Sequence, residues 1–555
     1  MKVVICGAGI AGLALANRMA ALDWEVVVLE HAPGPRAQGY MIDFFGPGYD
    51  AAEAMGMVPA IEAVAYRVDE ASLLDEHGRR RAGIRVDQFA AAIGDRLLSV
   101  TRPDLERVLR DHLPADRVDL RFGTSPVHIE DDGERVRVTL DDGSVLDADL
   151  LVGADGIHSS VRRMVFGPEE RFLRYLGFHT AAYRFSDPAV HAMVRGRFCL
   201  TDTVGRQMGF YGLRGGEVAA FAVHRTPDPA LPADARAAVR REYGSLGWVV
   251  PDALDQCPPP SEVYYDQVAQ VDMPAWSRGR VALVGDACFA VSLLAGQGAS
   301  LGIAGAYVLA DQLTRAGSIR AGLERYERIW RPVVAEKQKV ARDGARWFLP
   351  ASPAQLRLRH VVLRFSRLPV VDRVVAGALA GKSTGLVKQL AAQQRPPRLN
   401  GLARALFRAP ARLYDRNLGW VLGRRFLCLT HTGRKSGRRY RTVLEVVGAG
   451  SGEVVVVAGL GRSADWYRNI RSAPAVEIAV GRQRFTPAHR VLGETEAAEV
   501  IAAYEHRNRW VRPVVHRLLS KLVGWSYDGT EPARRRLVGQ LPLVAFRPAP
   551  GSPRG

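Results

Sequence analysis

The first thirty residues combine two short apolar runs with three closely spaced glycines. Residues 3–5 are Val, Val and Ile, the glycines are Gly7, Gly9 and Gly12, and a second apolar run ends at Glu30. Short apolar runs are typical of buried parallel strands, and glycines at this spacing permit a tight turn and close approach of a pyrophosphate. The pattern predicts strand, turn, helix and strand, with Glu30 placed to accept hydrogen bonds from a ribose diol.

The middle of the chain alternates between strand-like and helix-like patterns. Residues 135–140 alternate polar and apolar positions beside DDG turns, which predicts antiparallel hairpins. Residues 148–163 predict a buried strand, a turn and a helix, and residues 172–226 predict strands of a second sheet. A strand, a loop and a long helix are expected at 280–313, followed by a charged helix at 319–347.

The last third of the chain has a different pattern. Residues 352–389 are apolar with interspersed arginines and predict basic apolar helices, and the proline-containing segment 391–400 predicts a linker. A helix-like stretch at 402–422 is followed by five short strand-like segments, namely FLCLTHTG, RTVLEVVG, EVVVVAGL, AVEIAVG and LPLVAFRP. We therefore predict a small, mostly β domain at 401–555.

Length and charge support this division. The chain has 555 residues, enough for several domains, and its 47% of hydrophobic residues excludes a disordered or disulfide-stapled protein. Residues 1–350 carry a net charge of −6 and residues 351–555 carry +24, which together give the +18 of the whole chain. The basic part lacks a helix-turn-helix, zinc-finger or ribonucleoprotein signature, so we expect no nucleic-acid partner.

The cysteines and one long uncharged segment indicate the compartment. The five cysteines are scattered and form no CxxC pair, which favours a reducing compartment and argues against a metal site. Residues 287–310 lack charge and are long enough to span a bilayer, but the embedded GQG favours a buried loop and helix. We expect a cytoplasmic protein without a spanning helix.

Four motifs follow one another along the first 390 residues. They are GAGIAG at 7–12, RPDLERVL at 102–109, GADG at 153–156, and VGDA followed by GQG at 284–298. In this order they resemble the group A flavoprotein monooxygenases of the para-hydroxybenzoate hydroxylase type. The resemblance covers a unit at 1–390.

This resemblance implies a fold and a reaction. The fold is an α/β Rossmann-type FAD-binding domain with an inserted antiparallel β-sheet substrate domain at about 172–275. The reaction is oxygenation of a small molecule by FAD, with NADPH or NADH and dioxygen, through a flavin C4a-hydroperoxide. The chemistry is then borne by the flavin, so we expect no catalytic side chain.

The resemblance also implies FAD contacts, residue by residue. Glu30 is expected at the adenosine ribose and Asp286 at the ribityl hydroxyls. Asp155 of the GADG motif resembles a residue that links FAD and nicotinamide binding. An Asp that opens a turn is also an ordinary cap, so both roles stay open for Asp155. The complete set of expected contacts is Gly7, Gly9, Ala11, Gly12, Glu30, Arg36, Arg102, Asp155, Asp286, Gly296, Gly298 and Ala299.

One departure from the family pattern bears on the substrate. Where the family usually has GDAAH followed by Pro, this chain has Phe289 in place of His and Leu293 in place of Pro. These residues predict an apolar pocket and a hydrophobic acceptor such as a polyketide or polycyclic aromatic. Tyr211 is a further pocket candidate, and weaker candidates on the middle sheet are His179, Tyr183, Arg214 and His224.

A second resemblance covers residues 401–548. The TGRKSG motif at 432–437, the WYRN motif at 466–469 and the closing LPLVAFRP are similar to the deazaflavin-dependent nitroreductase family. That family has a split β-barrel fold and binds the factor-420 deazaflavin. The resemblance implies phosphate or acidic-tail contacts from Arg434, Lys435, Ser436 and Gly437. It places Trp466, Tyr467 and Asn469 near the ring or in the barrel wall.

Two alternatives remain open from the sequence. The first unit could be an FAD oxidoreductase that inserts no oxygen, with the barrel serving only to dock on a partner or a membrane. Residues 356–382 place arginines among apolar residues, as an interfacial helix does, so peripheral association with the inner membrane surface is one expectation and internal packing is the other.

Overall fold

The protein consists of two compact units, Met1–Ala391 and Ala392–Gly555, which are described separately. The computed structural model describes residues 1–35, 41–92, 96–292, 296–365, 385–394, 423–434, 436–450, 452–459, 461, 464–523 and 527–549. The predicted linker at 391–400 lies mostly outside these residues, and the predicted helix at 402–422 lies wholly outside them.

The strands that the structure describes in the first unit form four sheets. They are β1 (Lys2–Cys6), β2 (Glu25–Glu30), β3 (Met41–Phe45), β4 (Glu70–Leu74), β5 (Arg80–Arg85), β6 (Leu97–Thr101), β7 (Val118–Phe122), β8 (Pro126–Asp131), β9 (Val136–Leu140), β10 (Val145–Ala148), β11 (Leu150–Gly153), β12 (Leu173–Ser186), β13 (Arg197–Thr201), β14 (Arg206–Gly212), β15 (Glu217–Arg225), β16 (Tyr264–Val271), β17 (Ser277–Arg278) and β18 (Val281–Leu283).

Helices cover these sheets. They are α1 (Ile10–Ala20), α2 (Pro47–Ala54), α3 (Val58–Val64), α4 (Val86–Ala92), α5 (Arg102–Asp111), α6 (Ser160–Phe166), α7 (Pro188–Val194), α8 (Ala235–Tyr243), α9 (Val250–Asp255), α10 (Asp286–Phe289), α11 (Gly298–Arg315), α12 (Ile319–Phe348), α13 (Pro353–Phe365) and α14 (Leu386–Gln394), which crosses the division between the units.

The central sheet has the strand order β17-β18-β11-β1-β2-β7. All its pairs are parallel except β17 with β18. Val3, Val4 and Ile5 in β1 are fully buried, as the apolar run predicted. Helices α1 and α11 pack together on this sheet, and most described residues of the uncharged segment at 287–310 are therefore buried. Among the described residues, no helix is long and apolar enough to cross a membrane.

Two small sheets flank the central one. Strands β8, β9 and β10 form a three-stranded antiparallel sheet, in agreement with the predicted hairpins. Strands β3 and β6 pair with each other, so that Asp43 lies opposite Ser99 and Met41 opposite Thr101. This ribbon runs directly into α5, which begins at Arg102.

The second large sheet has the order β16-β12-β15-β14-β13-β4-β5. It is antiparallel except for the parallel pair of β13 with β4. The family resemblance implied an antiparallel sheet at about 172–275, and β4 and β5 extend it from residues 70–85. Their pairing was not predicted because they lie more than a hundred residues before β13, and local alternation does not show which distant strand a hairpin joins.

The two faces of this sheet are covered differently. One face packs against α7, α8 and α9 through a cluster that includes Tyr183, Phe210 and Tyr243. The opposite face contributes Phe178, which packs with Leu349 after α12, and also residues that pack with β3. We call the first the helix-covered face and the second the inner face. The inner face lies toward the FAD-binding elements.

The second unit is mostly β, with helices against one side of the sheet. Its strands are β19 (Phe426–Thr432), β20 (Arg439–Gly450), β21 (Glu453–Val457), β22 (Glu477–Val480), β23 (Gln483–Phe485), β24 (Pro487–Val491) and β25 (Leu543–Pro548). Its helices are α15 (Asp465–Ser472), α16 (Glu494–Arg507), α17 (Arg512–Val523) and α18 (Glu531–Gln540).

The seven strands form one antiparallel sheet in the order β23-β22-β19-β20-β21-β25-β24. The edge strands β23 and β24 are consecutive in the chain and are separated by Thr486 alone. The two edges therefore meet at one corner, and the sheet curves into an almost closed barrel. The sequence predicted five of these strands, and it missed β23, β24 and the helices at 494–540.

Candidate functional site

The glycine turn between β1 and α1 leaves one open face. Gly7 has φ +107°, and a Cβ there would lie 2.5 Å from the carbonyl oxygen of Ala154. A Cβ on Gly12 would lie 1.9 Å from the oxygen of Gly7. Around Gly9, in contrast, no atom lies within 4 Å of such a position. Gly7 and Gly12 are thus required by packing, whereas Gly9 leaves room for a phosphate group at the start of α1.

Glu30 ends β2 beside this turn. Its carboxylate accepts hydrogen bonds from the backbone nitrogens of Ala8, at 2.8 Å, and Ala32, at 2.9 Å. These contacts fix the acidic group at the carboxyl edge of the parallel sheet, next to the open face of Gly9. Such an arrangement suits a ribose diol adjoining a pyrophosphate.

Asp286 follows Gly285 at the first position of α10. Its side chain is exposed, yet the surrounding protein withdraws enough water that burial raises the pKa of this carboxyl group, against the lowering effect of Arg102. A side chain that lines a cleft combines exposure with desolvation in this way. Arg102 lies within electrostatic range and donates from Nε to Glu106 at 3.0 Å.

The GQG segment leads into α11 beside Asp286. Gly296 has φ +62° and faces open space, and a Cβ on Gly298 would lie 3.7 Å from Oδ1 of Asp286. Ala299 is half-buried in the first turn of the helix. Ala11 of α1 packs closely against the residue before α10, because a Cβ on Gly285 would lie 2.8 Å from the methyl group of Ala11. Ala11, Gly285, Asp286 and Gly298 therefore come together where α1, α10 and α11 begin.

Asp155 is occupied by its own turn. Its carboxylate accepts hydrogen bonds from the hydroxyls of Ser159, at 2.5 Å, and Ser160, at 3.0 Å, and from the nitrogen of Val161 at 3.1 Å. Both oxygens thus stabilise the start of α6. Of the two roles left open by the sequence, this geometry supports the cap.

The sequence did not predict a charged network that contacts α10 through Arg162. His158 contacts Oε1 of Glu169 at 3.0 Å and Oδ1 of Asp266 at 3.2 Å. The hydrogen bond with Asp266 is the main reason that the pKa of His158 rises to about 9. The fully buried Arg162 also pairs with Glu169 at 2.8 Å. Only the position of His158 two residues after the GADG motif could have signalled this network.

The predicted pocket residues lie in different environments. Phe289 is buried in the core, where its ring lies 5.1 Å from that of Trp276 and its tip approaches Gly305 of α11. Phe289 therefore lies in the core of the first unit, and the prediction that it lines a pocket is not supported by its position. Tyr211 lies on the inner face and stacks on Phe198, with ring centroids 4.0 Å apart.

Three weaker candidates point to the helix-covered face. The hydroxyl of Tyr183 donates to the carbonyl of Ala253 at 2.9 Å, and His224 contacts the hydroxyl of Tyr243 at 3.0 Å. His179 lies beside His224, with ring centroids 5.6 Å apart. They are packed away from the cleft. Arg214 instead donates to the carbonyls of Val64 and Ala65, at 3.1 and 2.6 Å. These bonds join the second large sheet to the C-terminal end of α3.

In the second unit, the TGRKSG loop is tied to the WYRN helix. Oδ1 of Asn469 accepts hydrogen bonds from the backbone nitrogen and the Nη1 atom of Arg434, both at 3.2 Å. The Nδ2 atom of Asn469 lies 3.0 Å from Nδ1 of His431, which is buried and contacts Thr442 through Nε2 at 3.1 Å. Burial lowers the pKa of His431.

The other predicted residues of this unit divide into core and surface. Trp466 and Tyr467 are buried in the barrel core, so they shape the barrel. Ser436 is exposed and lies 3.1 Å from the hydroxyl of Tyr440, and Gly437 has φ +64°. Three predicted residues fall outside the described part of the chain, namely Arg36, Leu293 and Lys435.

Comparison with known families identifies the first unit. A family model described as an FAD binding domain matches residues 1–340, more than half of the chain. The chain belongs to this FAD-binding family. A second model, described as a quinone reductase that depends on reduced factor 420, matches residues 406–513. Both resemblances seen in the sequence are thereby confirmed.

Relatives extend this result to an activity class. The chain is 34% identical over 362 residues to Uncharacterized protein Rv1260 of Mycobacterium tuberculosis, covering 62% of this chain and 93% of that protein. It is 28% identical to a Flavin-dependent monooxygenase of Legionella longbeachae, covering 61% and 87% of the two chains. This FAD-binding protein is thus an oxidoreductase of the flavin-dependent monooxygenase class, with a C-terminal domain like the reductases that depend on factor 420.

Solved structures agree on the fold of the first unit. Tetracycline destructase Tet(55) is 25% identical, with a TM-score of 0.58, and the match covers 68% of this chain and 97% of that one. HpxO from Klebsiella pneumoniae, in complex with FAD and uric acid, is 22% identical with a TM-score of 0.52, over 71% and 96% of the two chains.

Proposed function

We propose that the first unit uses NADPH or NADH and dioxygen to hydroxylate or otherwise oxygenate a hydrophobic, ring-containing small molecule. The observation that carries this proposal is the aromatic inner face, where the stacked Phe198 and Tyr211 lie on the side of the sheet that faces the FAD-binding elements. A similar solved structure is named a tetracycline destructase, which favours a flat polycyclic acceptor.

The residues around the cleft fit FAD. The open face of Gly9 at the start of α1 suits the pyrophosphate, Glu30 suits the adenosine ribose, and the exposed, desolvated Asp286 suits the ribityl hydroxyls. Gly296 and Gly298 would lie against the ring system, where side chains leave little space. When bound, FAD supplies electron transfer from the nicotinamide to dioxygen and the transfer of oxygen to the substrate.

The protein's own contribution is binding, orientation and exclusion of water. Arg102 is placed to balance the charge of Asp286 at the cleft, and the apolar residues of the inner face keep the reacting region dry. No described side chain has to act as a general base in this scheme. The nicotinamide is expected to approach from solvent, since the sequence holds a single strand-bounded GxGxxG.

The test is a direct assay of the full-length protein. Purified protein should be yellow, and should oxidise NADPH or NADH faster when a suitable aromatic compound is added. Labelled dioxygen should deliver its label to the product. A reaction that oxidises the substrate without incorporating label would establish the alternative, an FAD oxidoreductase that inserts no oxygen.

For the second unit, we propose binding of a deazaflavin coenzyme at the TGRKSG loop. Arg434, Lys435, Ser436 and Gly437 would contact its phosphate or acidic tail. The exposed side chains of Arg438 and Arg439 beside the loop support an anionic ligand. Titration of the full chain with the reduced coenzyme, followed by deazaflavin fluorescence, tests the proposal. Wild-type binding that an Arg434→Gln variant does not weaken would contradict it.

A second candidate role for this unit is docking on an anionic membrane. Trp510 is 86% exposed, and the guanidinium of Arg509 lies 5.3 Å from its ring. Residues 506–523 carry five basic side chains and no acidic one. An exposed tryptophan among cations is typical of a membrane-interface surface. Helix α13 of the first unit is a weaker candidate for docking. Its Arg359 and His360 both pair with Asp202 of the same unit, so these cations are already engaged.

Vesicle sedimentation separates this role from coenzyme binding. The full chain should sediment with phosphatidylglycerol vesicles and not with phosphatidylcholine vesicles, and added salt should release it. Trp510→Ser should weaken sedimentation, whereas Val491→Ser, at another exposed apolar position, should not. Equal sedimentation of wild type and Trp510→Ser would rule this surface out.

A further inference from the structure

Asp43 interrupts an otherwise buried strand. Met41, Ile42, Phe44 and Phe45 of β3 are all buried, whereas the Asp43 side chain is exposed. Because side chains alternate along a strand, Met41, Asp43 and Phe45 lie on the same face. An exposed side chain between two buried ones on one face must open into a gap between the structures that cover its neighbours.

The two sides of this gap are identifiable. Met41 packs against Tyr211 and Leu213 on the inner face of the second sheet. At the other end of the strand, the carbonyl of Phe45 accepts a hydrogen bond of 2.5 Å from the hydroxyl of Ser300, in the first turn of α11. Asp43 therefore lies in β3 between Met41, which packs on the aromatic inner face, and Phe45, whose backbone is bonded to the helix that follows the GQG motif. In the proposed function, the acceptor ring has to lie between these same elements.

The carboxylate of Asp43 is held from one side. The hydroxyl of Ser99, which is itself buried, donates to Oδ1 at 2.9 Å. A carboxylate has about four acceptor positions, so this bond leaves capacity for a further donor. The phenol of Tyr211 lies within electrostatic range of Asp43. Burial raises the pKa of this phenol, and the charge of Asp43 raises it further. The side chains of Met41 and Tyr211 that pack beside this position are largely apolar, and beside such groups a carboxylate is stabilised by a hydrogen-bond donor.

We propose that Asp43 is the specificity-determining residue of the oxygenation site, and that it accepts a hydrogen bond from a ring hydroxyl of the acceptor. The acceptor is thus a phenol-like or enol-like compound rather than a plain hydrocarbon or an ether. When a ring hydroxyl donates a hydrogen bond to a carboxylate, the electron density of the ring increases. An electron-rich ring attacks an electrophilic oxygen more readily. The inference rests on the proposed function and adds the chemical group that this site recognises.

Matched probes test the proposal. We would titrate the full-length, FAD-containing protein with 2-naphthol and with 2-methoxynaphthalene, and follow the flavin absorbance spectrum. Wild type should bind 2-naphthol about 10- to 100-fold more tightly than the ether, as expected for a hydrogen bond to a charged group. Asp43→Leu should remove this preference by weakening the binding of 2-naphthol, whereas Asp142→Leu, in an exposed turn, should preserve it.

Each other result decides against the proposal. Equal affinities in wild type, retention of the preference by Asp43→Leu, or failure of both probes to perturb the flavin would overturn it. Asp43→Asn serves as the isosteric control, because it keeps an acceptor oxygen and should retain a reduced preference. The flavin content of each preparation is measured first. A wild-type protein without FAD contradicts the proposed function itself, and this outcome is distinct from failure of the role of Asp43.

Discussion

The side-chain oxygen of Asn469 lies 3.2 Å from both the backbone nitrogen and the Nη1 atom of Arg434. This contact joins the two sequence motifs of the second unit, which are more than thirty residues apart. Since Nδ2 of Asn469 also contacts the buried His431, one amide holds the TGRKSG loop against the barrel core. The motifs therefore belong to one structural unit, in which the helix positions the loop.

Replacement of Asn469 by Leu should destabilise this unit. The change leaves His431 and the nitrogen of Arg434 without their partner, which costs about 1–3 kcal/mol when the groups are buried. Urea unfolding followed at the second unit should show this loss, together with weaker deazaflavin binding. Arg471→Gln, at an exposed position of the same helix, should change neither quantity by a comparable amount.

Gly9 and Gly12 should respond differently to the same substitution. A Cβ at Gly12 meets backbone at 1.9 Å, so Gly12→Ala should abolish stable folding of the first unit. A Cβ at Gly9 meets no protein atom within 4 Å, so Gly9→Ala should leave the melting temperature of the apoprotein unchanged and weaken FAD binding. Circular dichroism and flavin titration separate the two outcomes. Normal FAD affinity in Gly9→Ala would contradict the assigned pyrophosphate position.

Asp286→Ala should lose FAD during purification. The exposed carboxylate of Asp286 lines the cleft beside Gly298, and its removal deletes the proposed acceptor for the ribityl hydroxyls. The ratio of flavin to protein absorbance is the measurement. Asp272→Ala, which also removes an exposed carboxylate of the first unit, should remain yellow. Retention of stoichiometric FAD by Asp286→Ala would show that the ribityl chain is held elsewhere.

His158 should make the stability of the first unit depend on pH. Its pKa rises from the ordinary value of 6.5 to about 9 in the folded protein. A group with a raised pKa stabilises the fold fully below the pKa of the unfolded chain, and this stabilisation is lost as the pH rises through the folded-state pKa. The thermal unfolding temperature of the wild type should therefore fall as the pH rises from 6.5 to about 9.

His158→Gln should flatten this part of the pH profile. The side chain of His158 is 44% exposed, so solvent screening keeps the effect small, at roughly 1 kcal/mol or less. His128→Gln, which alters an exposed histidine beside Glu130, is the matched control. A wild-type profile that His158→Gln leaves unaltered would exclude the ion pairs with Asp266 and Glu169 as its source.

Local patterns in the sequence predicted much of the first unit. The glycine turn, Glu30 and the GQG segment were predicted because each depends on neighbours a few residues away. Asp43 was missed because its significance depends on Ser99 and on the inner face of a distant sheet. The same holds for His158, whose partners Glu169 and Asp266 lie 11 and 108 residues further along the chain.

The faces of the second sheet could not be predicted from the sequence. Strand β12 is apolar or aromatic on both sides at its centre, so alternation alone does not show whether His179 or Thr180 faces the cleft. Phe289 was expected in the pocket because it replaces a family residue near the flavin. It is instead buried against Trp276 and α11, since a large apolar side chain is stabilised by such packing.

The single residue Thr486 between the two edge strands of the barrel has a consequence for self-association. An exposed strand edge is a template on which other copies of a chain can add strands and aggregate. In the described part of the second unit, the edges β23 and β24 are short and turn into each other at one corner. Lengthening the chain at this corner would separate them, and each would then offer a free row of amides to a neighbouring molecule.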